Sequence, residues 1–315
     1  MKFKMIDLFC GIGGFHISAK KTNKINIIYA SDIDSYPSEV YRLNYELESH
    51  KDITKEDEKK DIPSHDILAG GFPCQAFSIA GARKGFDDIR GTLFFDVVRI
   101  ANHHKPKVLF LENVKGLVGH DKGNTFKIIL ETLDKLGYDV FHKVLNTATH
   151  GNIPQNRERI YIVAFRKDLN IDNFKFPNEI NLTNNFKDFI DRSIKVDDKY
   201  YYDKRFKIWP KIKNEISSMD TAYQWRRKYV RENKNNLCPT LTANMGTGGH
   251  NVPLIKDNFG IRKLTPQECF KLQGFPEDFK IPEKMSDARL YKMAGNSVSV
   301  PVIKRIFDNI IKTIK

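Results

Sequence analysis

Short β-rich runs and longer helical stretches alternate along the first half of the chain. The runs lie at 4–9, 25–30, 67–69, 108–111, 140–145 and 160–165. Between them, apolar residues recur three and four positions apart, as at Phe126, Ile129, Leu130, Leu133 and Leu136, with Gly137 placed to end that helix. This alternation predicts βαβ units and a doubly wound α/β sheet. From about 168 to 251 the period dissolves, and asparagine, lysine and aromatic residues take over. Regular structure resumes after Gly260, where Val302, Ile303, Ile306, Phe307, Ile310, Ile311 and Ile314 form an apolar stripe on a last helix. Such a stripe must be buried, and the first domain is its simplest partner. The expected organisation is therefore a catalytic α/β domain over 1–170 plus 260–315, interrupted by a smaller domain over 171–259.

Composition narrows the classes. With 315 residues, 40% hydrophobic and 29% charged, the chain is long enough for a full core and too apolar to be disordered. Four cysteines (Cys10, Cys74, Cys238 and Cys269) form no C-x-x-C pair. That argues against a zinc ribbon or disulfide framework, predicts no metal site, and leaves thiols free in a reducing compartment, one of them available as a nucleophile. No apolar run approaches the roughly 20 residues that span a bilayer, and Asp7 and glycine stand where a signal peptide needs unbroken apolar sequence. A cytoplasmic protein without a membrane partner is expected. Fifty-two Lys and Arg against 39 Asp and Glu give a net charge of +13, which points to a polyanionic partner. Between 197 and 236 stand 11 Lys/Arg and 8 aromatic residues, including Trp225-Arg226-Arg227-Lys228. Interleaving of this kind suits phosphate and base contact, and equally suits a small domain whose aromatics form its own core under a solvated basic face.

Several strand ends carry chemistry. The run ending Ile6-Asp7-Leu8-Phe9 meets the glycine-rich turn Cys10-Gly11-Ile12-Gly13-Gly14, which lets a ligand approach the backbone. A dinucleotide fingerprint would place a third glycine at position 16. His16 stands there, disfavouring a pyrophosphate but not a nucleoside. About twenty residues on, Asp32 and Asp34 offer carboxylates to a ribose diol. Gly70-Gly71-Phe72-Pro73-Cys74-Gln75 follows the third run and sets Cys74 at a strand's carboxyl end, in polar company that favours a thiolate. Glu112 follows the fourth run directly, and Gln155-Asn156-Arg157-Glu158-Arg159 offers two guanidinium forks before the sixth.

In their order, Phe9–Phe15, Pro73-Cys74-Gln75, Glu112-Asn113-Val114, Gln155–Arg159, the stretch 262–276 and Gly295-Asn296-Ser297-Val298 resemble the motif blocks of the DNA cytosine-C5 methyltransferases. The match covers the chain except about 170–250, and it is closest to the compact bacterial modification enzymes. The resemblance implies a Rossmann-like fold that binds S-adenosyl-L-methionine, yields S-adenosyl-L-homocysteine, and carries a target-recognition domain over 171–259. Cys74 would attack C6 of cytosine, and Glu112, with a raised pKa, would support N3 as charge builds there. Arg159 matches the residue on the base O2, with Arg157 its neighbour. Phe9, Gly11, Gly13 and Gly14 match adenine and methionine contacts. Asp32 stands where the family commonly has Glu on the ribose, Ile33 where an aromatic ring often stacks on adenine, and Asp52 at an adenine-amine contact. Asn296 would close the cofactor site.

A thiol cannot reach a cytosine inside a duplex, so the base must be flipped out at a cost of about a few kcal/mol. The segment from Ser78 to Arg99, with Gly81, Gly85 and Gly91 around Arg83, Lys84 and Arg90, suits a loop closing on phosphates. Further DNA contacts are expected from Arg226, Arg227 and Lys228, and from Thr242 and Gly248, whose neighbourhood reads as a loop with backbone free to approach bases. Duplex DNA is the expected partner of a monomer, with a separate cognate restriction endonuclease compatible with the reading. The tRNA-methylating branch of the family typically carries Cys-Phe-Thr, absent here, and an inert DNA-binding protein would not need Cys74, Glu112 and Arg159 together.

Overall fold

The computed structural model describes residues 2–73, 93–247 and 251–315. They pack as two compact units: Met1–Leu145 with Glu158–Asn178 and Val302–Lys315, and Asn146–Arg157 with Glu179–Pro301.

All six expected runs are strands: β1 (Phe3–Leu8), β2 (Ile25–Ser31), β3 (Ile67–Gly71), β4 (Val108–Val114), β5 (Tyr138–Asn146) and, after the short β6 (Gln155–Asn156) of the second unit, β7 (Glu158–Arg166). They form one sheet in the order β2-β1-β3-β4-β7-β5. β1 runs parallel to β2 and β3, and β3 parallel to β4, whereas β7 runs against β4. The helices of this unit are α1 (Gly14–Lys20), α2 (Ser35–Tyr45), α3 (Leu93–His104), α4 (Asn124–Lys135) and most of the last helix, Val300–Thr313. Gly137 follows α4 with φ +94°, as its stop position requires.

Both faces of this sheet are covered, which is why its strands read as near-continuous apolar runs. Leu109 and Leu111 of β4 join one core with Phe94, Val97 and Ile100 of α3 and Ile129 and Leu133 of α4. Phe110 points the other way and meets Phe15 of α1 at 5.1 Å and Phe307 of the last helix at 5.0 Å, both edge to face. The apolar stripe thus finds its partner in the first unit. Beside it, His16 is buried, stacks on Tyr45 at 3.9 Å and meets the Tyr41 hydroxyl through Nδ1 at 2.6 Å. An imidazole fills the space that a third glycine would leave empty.

The second unit contains α5 (Thr147–Gly151), α6 (Trp209–Glu215), α7 (Pro266–Lys271) and α8 (Asp287–Asn296). Its strands β8 (Tyr201–Tyr202), β9 (Tyr223–Arg226), β10 (Tyr229–Glu232), β12 (Leu254–Asp257) and β13 (Gly260–Lys263) make a sheet in the order β10-β9-β12-β13-β8, and β11 (Cys238–Pro239) pairs with β6. This compact unit takes in 146–157 and 260–301 with the 179–259 part of the expected insertion, while 171–178 stay with the first unit, and one physical reason for the later boundary is Arg262. Its guanidinium, with no exposure, meets Asp257 Oδ2 at 2.6 Å and the two oxygens of Glu268 at 2.7 and 2.8 Å. Glu268 also closes a capping box with Thr265 at the start of α7. That ionic knot joins β12, β13 and α7 into one body.

Removing one member of a buried, hydrogen-bonded ion group strands the others, typically at about 3–5 kcal/mol. Arg262→Met should therefore lower the urea midpoint strongly with little change in slope, whereas a shift under about 1 kcal/mol would show that the knot contributes little. Two buried imidazoles make the first unit sensitive to acid, while the buried carboxyl of Asp7, held protonated, pulls the other way. Burial lowers both His16 and His65 from 6.5 to about 4, so the unfolded chain takes up protons first as the pH drops. Their contribution is whole above about pH 6.5 and declines toward pH 4, with about 2 kcal/mol lost per histidine between pH 7 and 5. Urea midpoints at those two pH values, compared between the parent and His16→Gln, check this: the pH-dependent change should differ by about the contribution of one imidazole, whatever Asp7 adds to both.

Candidate active site

Strand register assembles the site before any side chain is considered. Leu8 of β1 stands opposite Gly70 of β3, and Gly71 opposite Glu112 of β4, so three parallel strands end at one sheet edge. α/β sheets bind their ligands at that edge. The chain leaves β3 through Phe72 and Pro73 toward Cys74. Asn113, buried beside Glu112, donates through Nδ2 to the Phe72 carbonyl at 2.8 Å and accepts the Val114 N–H through Oδ1. Sequence reasoning assigned Asn113 no task; its signal was a buried amide at the end of an apolar strand. Cys74, Ser78, Arg83, Arg90 and Gly248 lie outside the described residues.

Glu112 and Arg159 are brought together. In the antiparallel pairing of β4 with β7, Glu112 faces Tyr161 and Val114 faces Arg159, which makes Glu112 and Arg159 diagonal neighbours on one face. Arg159 Nε lies 3.1 Å from Glu112 Oε1, and both side chains are nearly buried. A Cβ on Gly71 would come within 3.2 Å of the Glu112 carboxylate, so glycine keeps that side clear. Arg157, two residues away, serves elsewhere. It is buried in the second unit, where its guanidinium donates to the carbonyls of Leu241 (2.7 Å), Gly295 (3.2 Å) and Ser297.

The proposed cofactor contacts Gly11, Asp32 and Asp52 are laced together by backbone. Asp32 Oδ2 accepts the Gly11 N–H at 2.8 Å, and Oδ1 accepts that of Asp34 at 2.9 Å. The Asp32 N–H donates to Ser49, and Lys51 donates back to Asp32, which draws Asp52 into the same neighbourhood. The Asp52 carboxylate accepts from Thr54 and pairs with Lys55 at 3.4 Å. Ile33 is 69% exposed, an apolar side chain left uncovered beside that carboxylate. Phe9 bends the chain out of β1 with φ +54°. Gly13, with φ +83°, has no room for a side chain, since a Cβ would meet the Tyr45 ring at 2.2 Å. The Tyr45 hydroxyl donates to the Gly13 carbonyl at 3.1 Å, so α2 fastens the turn from behind.

Beneath the turn lies a carboxyl that sequence reasoning did not single out. Asp7 has no exposure, and burial holds its pKa well above the usual carboxylate range. Its signal was an acid inside the run Met5–Leu8. Cys10, Cys238 and Cys269 are buried free thiols, each pushed up by burial, so none of the three has the environment of an attacking thiolate.

In the second unit, Asn296 ends α8. The preceding Gly295 lets the 241–246 segment lie directly on that helix, because a Cβ there would collide with the Thr242 carbonyl carbon at 2.1 Å. The backbone around Thr242, expected to be free, is thus held by Gly295 and Arg157, while the Thr242 side chain is exposed and bonds to Asn244. Arg226, Arg227 and Lys228 are exposed at the β9–β10 turn. Among the described residues, no helix is long and apolar enough to cross a membrane.

A profile described as C-5 cytosine-specific DNA methylase matches residues 3–312. The Type II methyltransferase M.Bsp6I of Bacillus sp. (strain RFL6) is 51% identical over 98% of this chain and 99% of its own length. M.HhaI of Haemophilus parahaemolyticus is 40% identical over 98% of this chain and 94% of its own. Among solved structures, a mutant of the Spodoptera frugiperda DNMT2 superposes with a TM-score of 0.77 at 19% identity, covering 98% of this chain and 100% of that one, a likeness of fold. With strand-edge geometry, profile and full-length relatives in agreement, the chain belongs to the C-5 cytosine-specific DNA methylase family and is a DNA cytosine-5 methyltransferase.

Proposed function

We propose that the enzyme transfers a methyl group from S-adenosyl-L-methionine to C5 of a cytosine flipped out of a short specific sequence in duplex DNA, as the modification half of a restriction-modification pair. It would act in the cytoplasm as a monomer on DNA, with any endonuclease acting separately. The observation that carries the reading is the Glu112–Arg159 pair, with Glu112 in register with Gly71, which precedes Cys74 by three residues in sequence.

Bonding of the Cys74 sulfur to C6 makes C5 nucleophilic and drives negative charge toward N3. Glu112 enters this step protonated and donates its proton toward N3 as charge builds there, while Arg159, whose guanidinium lies against that carboxyl, contacts O2 and stabilises the carboxylate left behind. Water takes the C5 proton after transfer, and the thiolate leaves. The sulfonium donor supplies an electrophilic methyl group when bound. The residues around the glycine-rich turn fit it: Asp32 sets a carboxylate beside Gly11 for a ribose diol, Ile33 offers exposed apolar surface for the adenine, and Gly11 leaves open space for a ligand close to the backbone. Phe9, Gly14, Asp52 and Asn296 complete this proposed set, and we assign Arg157 to holding the second unit together instead of to the base. Ser78, Arg83, Arg90, Thr242 and Gly248 remain proposed DNA contacts, with 171–259 supplying target recognition.

Duplex DNA carrying 5-fluorocytosine, which cannot release a proton from C5, tests the covalent step. Enzyme, DNA and S-adenosylmethionine should give a species that survives denaturing electrophoresis, and Cys74→Ser should give none; equal trapping by that variant would dismiss Cys74. A second set separates chemistry from cofactor binding. Glu112→Gln should slow single-turnover methylation by roughly 10²- to 10⁴-fold and leave S-adenosylhomocysteine affinity within about twofold. Asp32→Ala, which removes a charged acceptor, should weaken that affinity by about 10- to 100-fold by calorimetry. The opposite pattern would exchange the two assignments.

A further inference from the structure

The β9–β10 hairpin is built as a ribbon with one committed face and one free face. Antiparallel pairing sets Tyr223 opposite Glu232, Gln224 opposite Arg231, Trp225 opposite Val230 and Arg226 opposite Tyr229. Side chains alternate across a strand, so Tyr223, Trp225 and Val230 share one face and Gln224, Arg226, Tyr229 and Arg231 the other. The first set packs on Ile212 and Ile216 at α6. Lys211 lies over the Trp225 ring at 5.6 Å, and Glu215 accepts the Val230 N–H at 3.0 Å, so the ribbon is fastened from that side. β12 pairs with β9 at Tyr223, and β10 is the sheet edge, which leaves the rest of the ribbon projecting from the sheet.

The opposite face carries no such packing. Arg226, Tyr229 and Arg231 are exposed and Gln224 is half-buried; Tyr229 keeps 56% of its surface. Among the described residues, neither Arg226 nor Arg231 has a salt bridge. The tip adds Arg227 and Lys228, and Arg227 holds φ +59°, a conformation that a hairpin usually gives to glycine or asparagine. An arginine there keeps a cation where a turn residue would serve the backbone better. The unit around it carries 23 Lys and Arg against 15 Asp and Glu.

We infer that the free face of this ribbon reads base edges in the DNA major groove, with Gln224 and Arg231 as specificity-determining residues, while Arg227 and Lys228 hold phosphate. The inference rests on the proposed function and names where part of its sequence choice resides. A two-stranded ribbon fits the major groove, arginine pairs bidentately with guanine, and glutamine with adenine. Gln224 and Arg231 stand opposite each other, so the pair presents both kinds of reader side by side. Tip cations contact a charge that every sequence offers.

The test uses the full-length enzyme on a random-sequence duplex library with S-adenosylmethionine, reading the methylated context by bisulfite sequencing at two salt concentrations. Gln224→Ala and Arg231→Ala should each relax preference at one base pair near the methylated cytosine, by about tenfold or more. Arg231→Lys keeps the charge and should relax the same position with an unchanged salt slope. Arg227→Ala with Lys228→Ala should lower methylation of all contexts alike and reduce the salt slope by about one unit per phosphate contact. Unchanged context in all three face variants, each as active as the parent or uniformly weaker, would overturn the inference. Absence of methylation by the parent enzyme would instead remove the proposed function on which it rests.

Discussion

Everything at the candidate active site depends on the register of three parallel strands. Because Leu8, Gly70 and Leu111 stand side by side, the glycine-rich turn, the approach to Cys74 and Glu112 leave the sheet at one level. A slip of one residue in β4 would turn Glu112 into the apolar layer and bring Leu111 or Asn113 to its place. Alternating burial on both faces prevents the slip: Phe110 is enclosed by Phe15 and Phe307, Leu109 and Leu111 by α3 and α4. Core packing therefore sets the chemistry at a distance.

The reversed strand β7 supplies what three parallel strands cannot. Parallel strands present their carboxyl ends to the site, whereas β7 presents its beginning, and Arg159 stands there, two residues from the partner of Glu112. The same short motif also serves the other unit. Gln155 donates to the Leu272 carbonyl, and Arg157 binds three carbonyls of its own unit, before the chain passes into β7.

The strands, the final apolar stripe and the strand-end residues were legible because a doubly covered sheet leaves a plain hydrophobic record and acids are conspicuous beside it. Gly295 and Asn113 were less so, since each works by a contact between segments far apart in the sequence. Arg157 read as a partner of Arg159 because spacing alone does not reveal into which unit a side chain turns. The interleaved basic and aromatic stretch resolved only in three dimensions: Tyr223 and Trp225 point into a core, and Arg226, Arg227 and Lys228 after them are exposed. The boundary near 260 follows composition, while the ionic knot at Arg262 follows folding.

The way the backbone passes between the two units bears on which of its segments can be exchanged with those of a relative. It crosses after 145, 157, 178 and 301, so neither unit is a contiguous gene segment. A recombination event that exchanged 179–301 for a relative's would import the carbonyls of residues 241, 295 and 297 but leave Arg157 with the recipient. Only donors that offer three acceptors in the same places would give a working chimaera. A replacement that lacked those carbonyls would leave a buried guanidinium without acceptors, so this one arginine couples 146–157 to whatever segment follows it in the unit.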